Sequence, residues 1–368
     1  MTDRSLSAEI PYIAWEIQLT CNMGCEFCYS SSWNRYRRDS VRDQASMADI
    51  ERGLARLAAS GLGIKYINWS GGEPLLRRAE LPAVLEASSR SGFGNILSTN
   101  GMFSVFPDVG DPHDRATSNR RFRAYVEKQL APWLEWLAVS WDSADPMVDN
   151  DVMRLAADGR RGSRFHCDDV LAIIEIYRSL EPRFRLKINT LVSRQNYRSG
   201  VLEIGDHLAD LDVTWKLIQF NPRECPKDFR SKYWLETEEF LRLVEEARQR
   251  FEGRPGFERL RIARRVYDGA GEPYCFLVVN TSGEVLLPKG EQHVPLARLY
   301  GQGVEGLSAT AWRDALLQKL ETEIAGTRTC TEDQSPGHLT PLQLFARRNL
   351  EILEHSYGMD PFEFEPFR

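Results

Sequence analysis

Apolar positions along residues 11–222 switch repeatedly between a period of two and a period near four, the marks of strands and amphipathic helices. The first run, Ile13-Ala14-Trp15-Glu16-Ile17-Gln18-Leu19, reads as a strand feeding a loop. Residues 47–59 then place Ile50, Leu54, Leu57 and Ala58 on one helical face, with Gly61 just past the end. Strands are predicted at 65–69, 95–99, 134–140, 183–192 and 213–220, and helices at 80–91, 121–130, 167–179 and 199–209. Strand–helix alternation at this spacing predicts an α/β fold with a parallel sheet. Six such units make three-quarters of an eight-unit barrel.

Beyond Pro222 the alternation breaks. A charged amphipathic helix is predicted at 236–251. A hairpin at 274–287 turns at Asn280-Thr281-Ser282-Gly283, and helices follow at 309–322 and 341–357. The expected organisation is a barrel-like domain over 11–222 and an α+β C-terminal extension over 223–368 that caps it. No repeat beyond the β/α units and no low-complexity linker interrupts this pattern.

The length of 368 residues accommodates both parts, and the net charge of −6 argues against nucleic-acid binding through a basic face. No apolar run approaches the ~20 residues of a membrane span. Thr2-Asp3-Arg4-Ser5 leads into the first strand with no signal-peptide pattern. Seven cysteines, an odd number without a regular framework, fit a reducing compartment. A cytoplasmic protein that binds neither membrane nor nucleic acid is expected.

The chemistry gathers at the predicted C-terminal ends of strands, where α/β barrels place active sites. After the first strand comes Cys21-Asn22-Met23-Gly24-Cys25-Glu26-Phe27-Cys28, three cysteines spaced C-x₃-C-x₂-C. Thiolates so close in sequence can converge on one metal object. Structural zinc ordinarily takes four protein ligands, and no second knuckle or nearby His completes such a set. An iron–sulfur cubane is held by cysteine thiolates, and three of them leave one iron open. Buried apolar thiols, or zinc completed by a distant residue, are the other readings. Gly71-Gly72-Glu73-Pro74 follows the second strand, Thr99-Asn100-Gly101 the third, and Ser140-Trp141-Asp142-Ser143 the fourth.

The cysteine spacing, with aromatic Phe27 before the third thiol and Gly71-Gly72-Glu73-Pro74 downstream, resembles the radical S-adenosylmethionine (SAM) superfamily. The resemblance implies a splayed, partial (β/α)6 TIM-like barrel holding one [4Fe-4S] cluster on Cys21, Cys25 and Cys28. SAM would chelate the open iron and be cleaved reductively, and the resulting 5′-deoxyadenosyl radical would abstract a substrate hydrogen. An electron donor such as flavodoxin or ferredoxin is implied. Phe27, Gly71, Gly72, Glu73, Pro74, Asn100, Ser140, Asp142 and Arg160 (or Arg161) become SAM-site candidates, with Gly71 and Gly72 admitting the methionyl amino group and Glu73 receiving its charge. For Asp142 a helix-capping turn is an equal alternative, and for Arg160 a solvated loop charge.

Ile67 to Pro74, Ser140-Trp141-Asp142-Ser143, Leu186-Lys187-Ile188-Asn189-Thr190-Leu191-Val192 and Trp215-Lys216-Leu217-Ile218-Gln219 are similar to a narrower family, viperin and its bacterial relatives, which act on nucleotides. That similarity implies Lys187, Asn189 and Lys216 as substrate contacts, and alternation places Lys187 on the same face as Asn189. The chain departs from the family after Cys28, where Arg35, Arg37 and Arg38 stand in place of a lysine segment. Arg35 is the phosphate candidate there. Cys275 and Gly283 to Pro288 resemble a degenerate SPASM or twitch segment. Pro288 stands where a ligand cysteine is expected, so Cys167, Cys225, Cys275 and Cys330 read as structural. The expected activity is hydrogen abstraction from a nucleotide- or sugar-like small molecule with dehydration or rearrangement, of lyase or oxidoreductase type. A maturase acting on a ribosomal peptide is the alternative, and a non-catalytic metal-binding module a third reading. The six histidines are expected to be structural or solvent-facing.

Overall fold

The computed structural model describes residues 9–28, 44–104, 106, 114–155, 165–180, 182–221, 227–266, 275–289, 292–325 and 339–357. Ten strands form one sheet: β1 Tyr12–Gln18, β2 Tyr66–Gly71, β3 Gly94–Thr99, β4 Trp136–Ser140, β5 Arg185–Val192, β6 Val213–Gln219, β7 Leu260–Arg265, β8 Leu277–Val279, β9 Glu284–Lys289 and β10 Gln292–Arg298. Their spatial order is β10-β9-β8-β1-β2-β3-β4-β5-β6-β7. Every pair from β8 through β1 to β7 is parallel, and β9 and β10 add antiparallel at one end. This is a partial TIM-like barrel.

Helices α1 Met47–Ser60, α2 Leu81–Arg90, α3 Arg115–Tyr125, α4 His166–Leu180 and α5 Val201–Asp206 link the first six strands. Then follow α6 Lys227–Tyr233, α7 Thr237–Phe251, α8 Ala309–Ile324 and α9 Pro341–Tyr357. Their termini obey local chemistry. Ser46 accepts the Asp49 N–H at the start of α1, and Gly61 closes it with a left-handed φ of 72°. Asp114 caps α3, which begins six residues earlier than its apolar pattern predicts and ends in a π-helical turn, Val126–Leu130.

Two features differ from the sequence reading. The alternation does not stop at residue 222: β7 follows α7 and pairs in parallel with β6, a seventh unit. Leu260, Ile262 and Ala263 are the apolar residues of β7, and arginines make up the rest. β10 also escapes the pattern because it contains Pro295, beside which the register shifts. The extension therefore continues the barrel's own sheet.

The two faces of the strands divide the core. Trp15 and Trp69 turn outward under the helices and stack at 5.2 Å. Inside, Tyr12, Tyr66, Ile96 and Trp136 pack with Leu353 and Tyr357 of α9 into a separate apolar cluster. α9 thus closes the end of the barrel where the strands begin. Asn349 fastens it, donating to the carbonyls of Tyr12 and Cys275 and accepting from the Tyr12 N–H at 2.8 Å.

Candidate active site

At the other end, where the strands finish, the three cysteines share a small packed cluster with Met23, Phe27 and Met102. Cys25 is buried, and Cys21 and Cys28 are half-buried. Burial pushes the Cys25 thiol up to about 12 and raises Cys21 further, and the thiols oppose one another's ionisation. Two N–H groups approach the Cys21 sulfur, the Met23 amide at 3.3 Å and the Asn100 side chain at 3.6 Å.

Gly71 and Gly72 explain themselves sterically. A Cβ on Gly71 would stand 2.1 Å from the Gln18 carbonyl oxygen, and one on Gly72 2.2 Å from that of Thr20. Gly71 also holds a φ of 129°. The close approach these glycines permit is to the chain's own loop entering Cys21, through Gly72 N–H to Gln18 and Glu73 N–H to Thr20.

Glu73 is fully buried and its carboxylate is turned inward. One oxygen accepts from the Leu75 N–H at 2.8 Å and the Thr99 hydroxyl at 2.6 Å, and the other from the Asn100 N–H at 2.7 Å. Burial pushes the carboxyl up and these donors oppose it. Glu73 thereby ties the end of β2 to the end of β3. Pro74 starts the following 3₁₀ turn. Asn100, so held, bonds Asn22 at 2.8 Å in the cysteine loop. Its carbonyl faces His166 Nε2 at 2.7 Å, and the buried His166 meets Asp149 through Nδ1. The structural expectation for this histidine matches its placement.

Asp142 is fully buried. It accepts from the Leu191 N–H at 2.8 Å and pairs with Arg154 at 2.7 Å. Burial pushes its carboxyl up against the pull of Arg154. Arg154 was not among the residues singled out from sequence. It follows a π-helical turn, Asp149–Met153, and its guanidinium lies 5.4 Å over the Phe27 ring. A buried strand-end Asp needs a cation, and Arg154 is the first arginine after it. Arg35, Arg37, Arg38, Arg160, Arg161, Cys225 and Cys330 lie outside the described residues. Cys167 and Cys275 are buried apart from the loop in the main core.

A cavity of about 410 Å³ opens beside the cysteine loop. Phe27, Cys28, Arg154 and Ser140 line one part, and Asn68, Ser70, Ser98 and Asn189 stand along the strands. Arg265, Phe276 and His293 line it on the extension side. Asn68 donates to the Tyr12 hydroxyl at 2.9 Å and accepts from Ser98 at 2.7 Å, so the amide–hydroxyl wall is ordered.

Lys187, on the face of Asn189 as alternation predicts, and Lys216 also point into the barrel, but they meet α9 instead of the cavity surface. Lys187 Nζ sits 3.5 Å from the Tyr357 ring centroid, and Lys216 Nζ donates to Ser356 Oγ at 2.6 Å. Burial pushes both amines down, Lys216 to about 7. Of the three substrate candidates on described residues, only Asn189 reaches the cavity.

A barrel with three clustered thiols at its strand ends, braced by a Gly-Gly-Glu-Pro turn, defines a class of enzyme. Residues 15–180 match the family model described as Radical SAM superfamily. The chain is 26% identical over 213 residues to an S-adenosylmethionine-dependent nucleotide dehydratase of Pseudoalteromonas ulvae, covering 55% of this chain and 61% of that one. It is 25% identical to a probable GTP 3',8-cyclase of Methanopyrus kandleri over 72% of this chain and 71% of that one. The chain thus spans about three-fifths of the first dehydratase. In fold it resembles native anSMEcpe with bound AdoMet, with TM-score 0.57 and 15% identity over 95% of this chain and 97% of that one.

The residues fit the superfamily's cofactors by donor chemistry. Three thiols crowded in an apolar setting resist ionisation unless cationic iron compensates them, and N–H donors already face one sulfur. Among the described residues no three such side chains stand ready in ion-ligating geometry, so the fit rests on chemistry and placement. Cys21, Cys25 and Cys28 would hold the [4Fe-4S] cluster. Phe27, Ser140 and Arg154 line the cavity beside it, where SAM would lie. No helix among the described residues is long and apolar enough to cross a membrane.

Proposed function

We propose that this radical SAM enzyme removes a hydrogen from a nucleotide- or sugar-like small molecule held in the cavity, with dehydration or a related rearrangement. The observation that carries the reading is the cavity itself. It adjoins Cys28, lies within the size range of small-molecule sites, and is lined by amide and hydroxyl groups suited to a polyhydroxylated ligand. The dehydratase and cyclase names of the relatives support the same substrate class.

When bound, the cluster and SAM supply the electron and the carbon radical that breaks an unactivated C–H bond. The chain's residues do the rest. Arg154, fixed by Asp142 and stacked on Phe27, holds a cation at the cofactor end. Asn68, Ser98 and Asn189 orient the ligand's hydroxyls. α9 and the aromatic layer beneath exclude water from the floor. A flavodoxin- or ferredoxin-type donor would deliver the electron. For the peptide-maturase alternative there is a likeness in fold to anSMEcpe with bound AdoMet and Cp18Cys peptide, and no described feature of this cavity favours a peptide.

The test is release of 5′-deoxyadenosine by anaerobically reconstituted, reduced protein against a panel of nucleotides, nucleosides and nucleotide sugars. Stimulation by one panel member, weakened in Asn189→Leu, is the expected result. Equal, slow release with every member would overturn the reading.

A further inference from the structure

We propose that His166, backed by Asp149, is a positioning residue for the cysteine site. It fixes the Asn100 peptide so that the Asn100 side chain donates to the Cys21 sulfur and raises the reduction potential of a cluster held there. The inference does not depend on the substrate, and it rests on Cys21, Cys25 and Cys28 holding that cluster. His166, Asp149 and Asn100 come from the start of α4, the π-helical turn after β4 and the end of β3, and all three are buried. His166 Nε2 lies 2.7 Å from the Asn100 carbonyl oxygen, and Nδ1 meets the Asp149 carboxylate. A carbonyl oxygen only accepts, so Nε2 carries a proton and donates it. The other Asp149 oxygen accepts the Asp142 N–H at 3.1 Å, which ties the ring to the end of β4.

Asn100 is held at each of its polar atoms. Its N–H donates to Glu73 at 2.7 Å, its carbonyl accepts from His166, and its Oδ1 accepts from the Met102 N–H at 2.9 Å. These three bonds set the direction of the remaining group, Nδ2, which donates to Asn22 Oδ1 at 2.8 Å and reaches the Cys21 sulfur at 3.6 Å. Gly101 then turns the chain with a left-handed φ of 78°, and Met102 packs among the cysteines. Without the His166 donor the Asn100 carbonyl is buried and unpaired, a cost the peptide relieves by rotating, and Nδ2 swings away from the sulfur with it. An N–H bonded to a ligand sulfur stabilises the more negative, reduced cluster and so raises its potential. His166 makes that contribution through Asn100, one residue removed from the sulfur.

The test is a potentiometric titration of the reconstituted full chain without SAM. Dithionite delivers one electron to each cluster, and electron paramagnetic resonance counts the reduced form. His166→Asn keeps a donor for Asp149 and removes the one for Asn100. It is expected to shift the equilibrium toward the oxidised cluster by about tenfold, about 59 mV for a one-electron couple. His166→Gln, whose amide reaches further, recovers most of that shift. Asn100→Ala shifts it at least as far, and adding His166→Asn to Asn100→Ala shifts it no further, because the two act as one unit. A histidine that merely braces the fold would lower the melting temperature and the iron uptake, and the clusters that do assemble would keep the wild-type potential. That result overturns the proposal, as does an unmoved potential in Asn100→Ala or additive shifts in the double variant. One reading needs no variant and holds even where the His166 variants fail to fold. Imidazole ¹⁵N shifts of the wild-type apoprotein are expected to show Nε2 protonated, and a bare Nε2 overturns the proposal. A wild-type chain that assembles no [4Fe-4S] cluster ends the cluster reading itself, whereas a wild-type cluster whose potential the variants leave unmoved ends the His166 proposal alone.

Discussion

At the scale of single residues, the site depends on backbone contacts that admit no side chain. Gly72 lies flat against Leu19 and Thr20, and an added Cβ would stand 2.3 Å and 2.2 Å from their carbonyl oxygens, respectively. Gly72→Ala must push the β2 turn away from the loop that presents Cys21. The expected outcome is a folded chain that takes up well under half the wild-type iron on reconstitution, on the order of 2 kcal/mol of lost site stability. Iron analysis and the cluster's visible absorbance check it, with Gly92→Ala as control, since a Cβ on Gly92 meets open space while its positive φ, which Gly72 does not have, supplies backbone strain alone. The glycines were legible in the sequence as a close approach of backbone. What they approach was not, because the partner is the chain's own carbonyl oxygens, brought there by strand pairing between Gln18 and Gly71.

At the scale of elements, the junction of β6 with α9 stores a pH dependence. Lys216 has its amine pushed down to about 7 by burial, with Arg265 adding to the effect. A depressed lysine costs the folded state nothing above its unfolded value near 10.5, and the cost grows as pH falls toward 7. Lys216→Met removes that cost. Its stability relative to wild type should therefore improve by about 2 kcal/mol between pH 9 and pH 6, read by chemical denaturation at the two values. A pH-independent difference would show that the buried amine stays charged. Alternation put Lys187 on the face of Asn189 from sequence alone. It carried no information about α9, whose Ser356 and Tyr357 lie 140 and 170 positions away in the chain from Lys216 and Lys187 and meet them only by packing.

At the scale of the whole molecule, one sheet joins what the sequence divides. β7 pairs with β6 and β8 with β1, so both flanks of the six-strand core are covered by strands from beyond residue 222. A chain ending at residue 222 would expose two long parallel edges and lose the α9 floor. It is expected to aggregate or to unfold without cooperativity, as light scattering and thermal melts would show. A soluble, cooperatively melting fragment would instead establish 11–222 as an independent domain.

The sequence by itself determined the alternating α/β order, the shared face of Lys187 and Asn189 and the three-thiol loop, because periodicity and spacing are local properties of the chain. It also placed Asn100, Ser140 and Asp142 at strand ends. Tertiary structure alone decided which polar residues remain available to a ligand. Glu73 is consumed by Leu75, Thr99 and Asn100, and Asp142 by Arg154, while the two lysines are consumed by α9. Asn189, on β5, lines the cavity. A buried charge must find its partner wherever the fold brings one, and that pairing is settled by contacts between distant segments that no local pattern encodes.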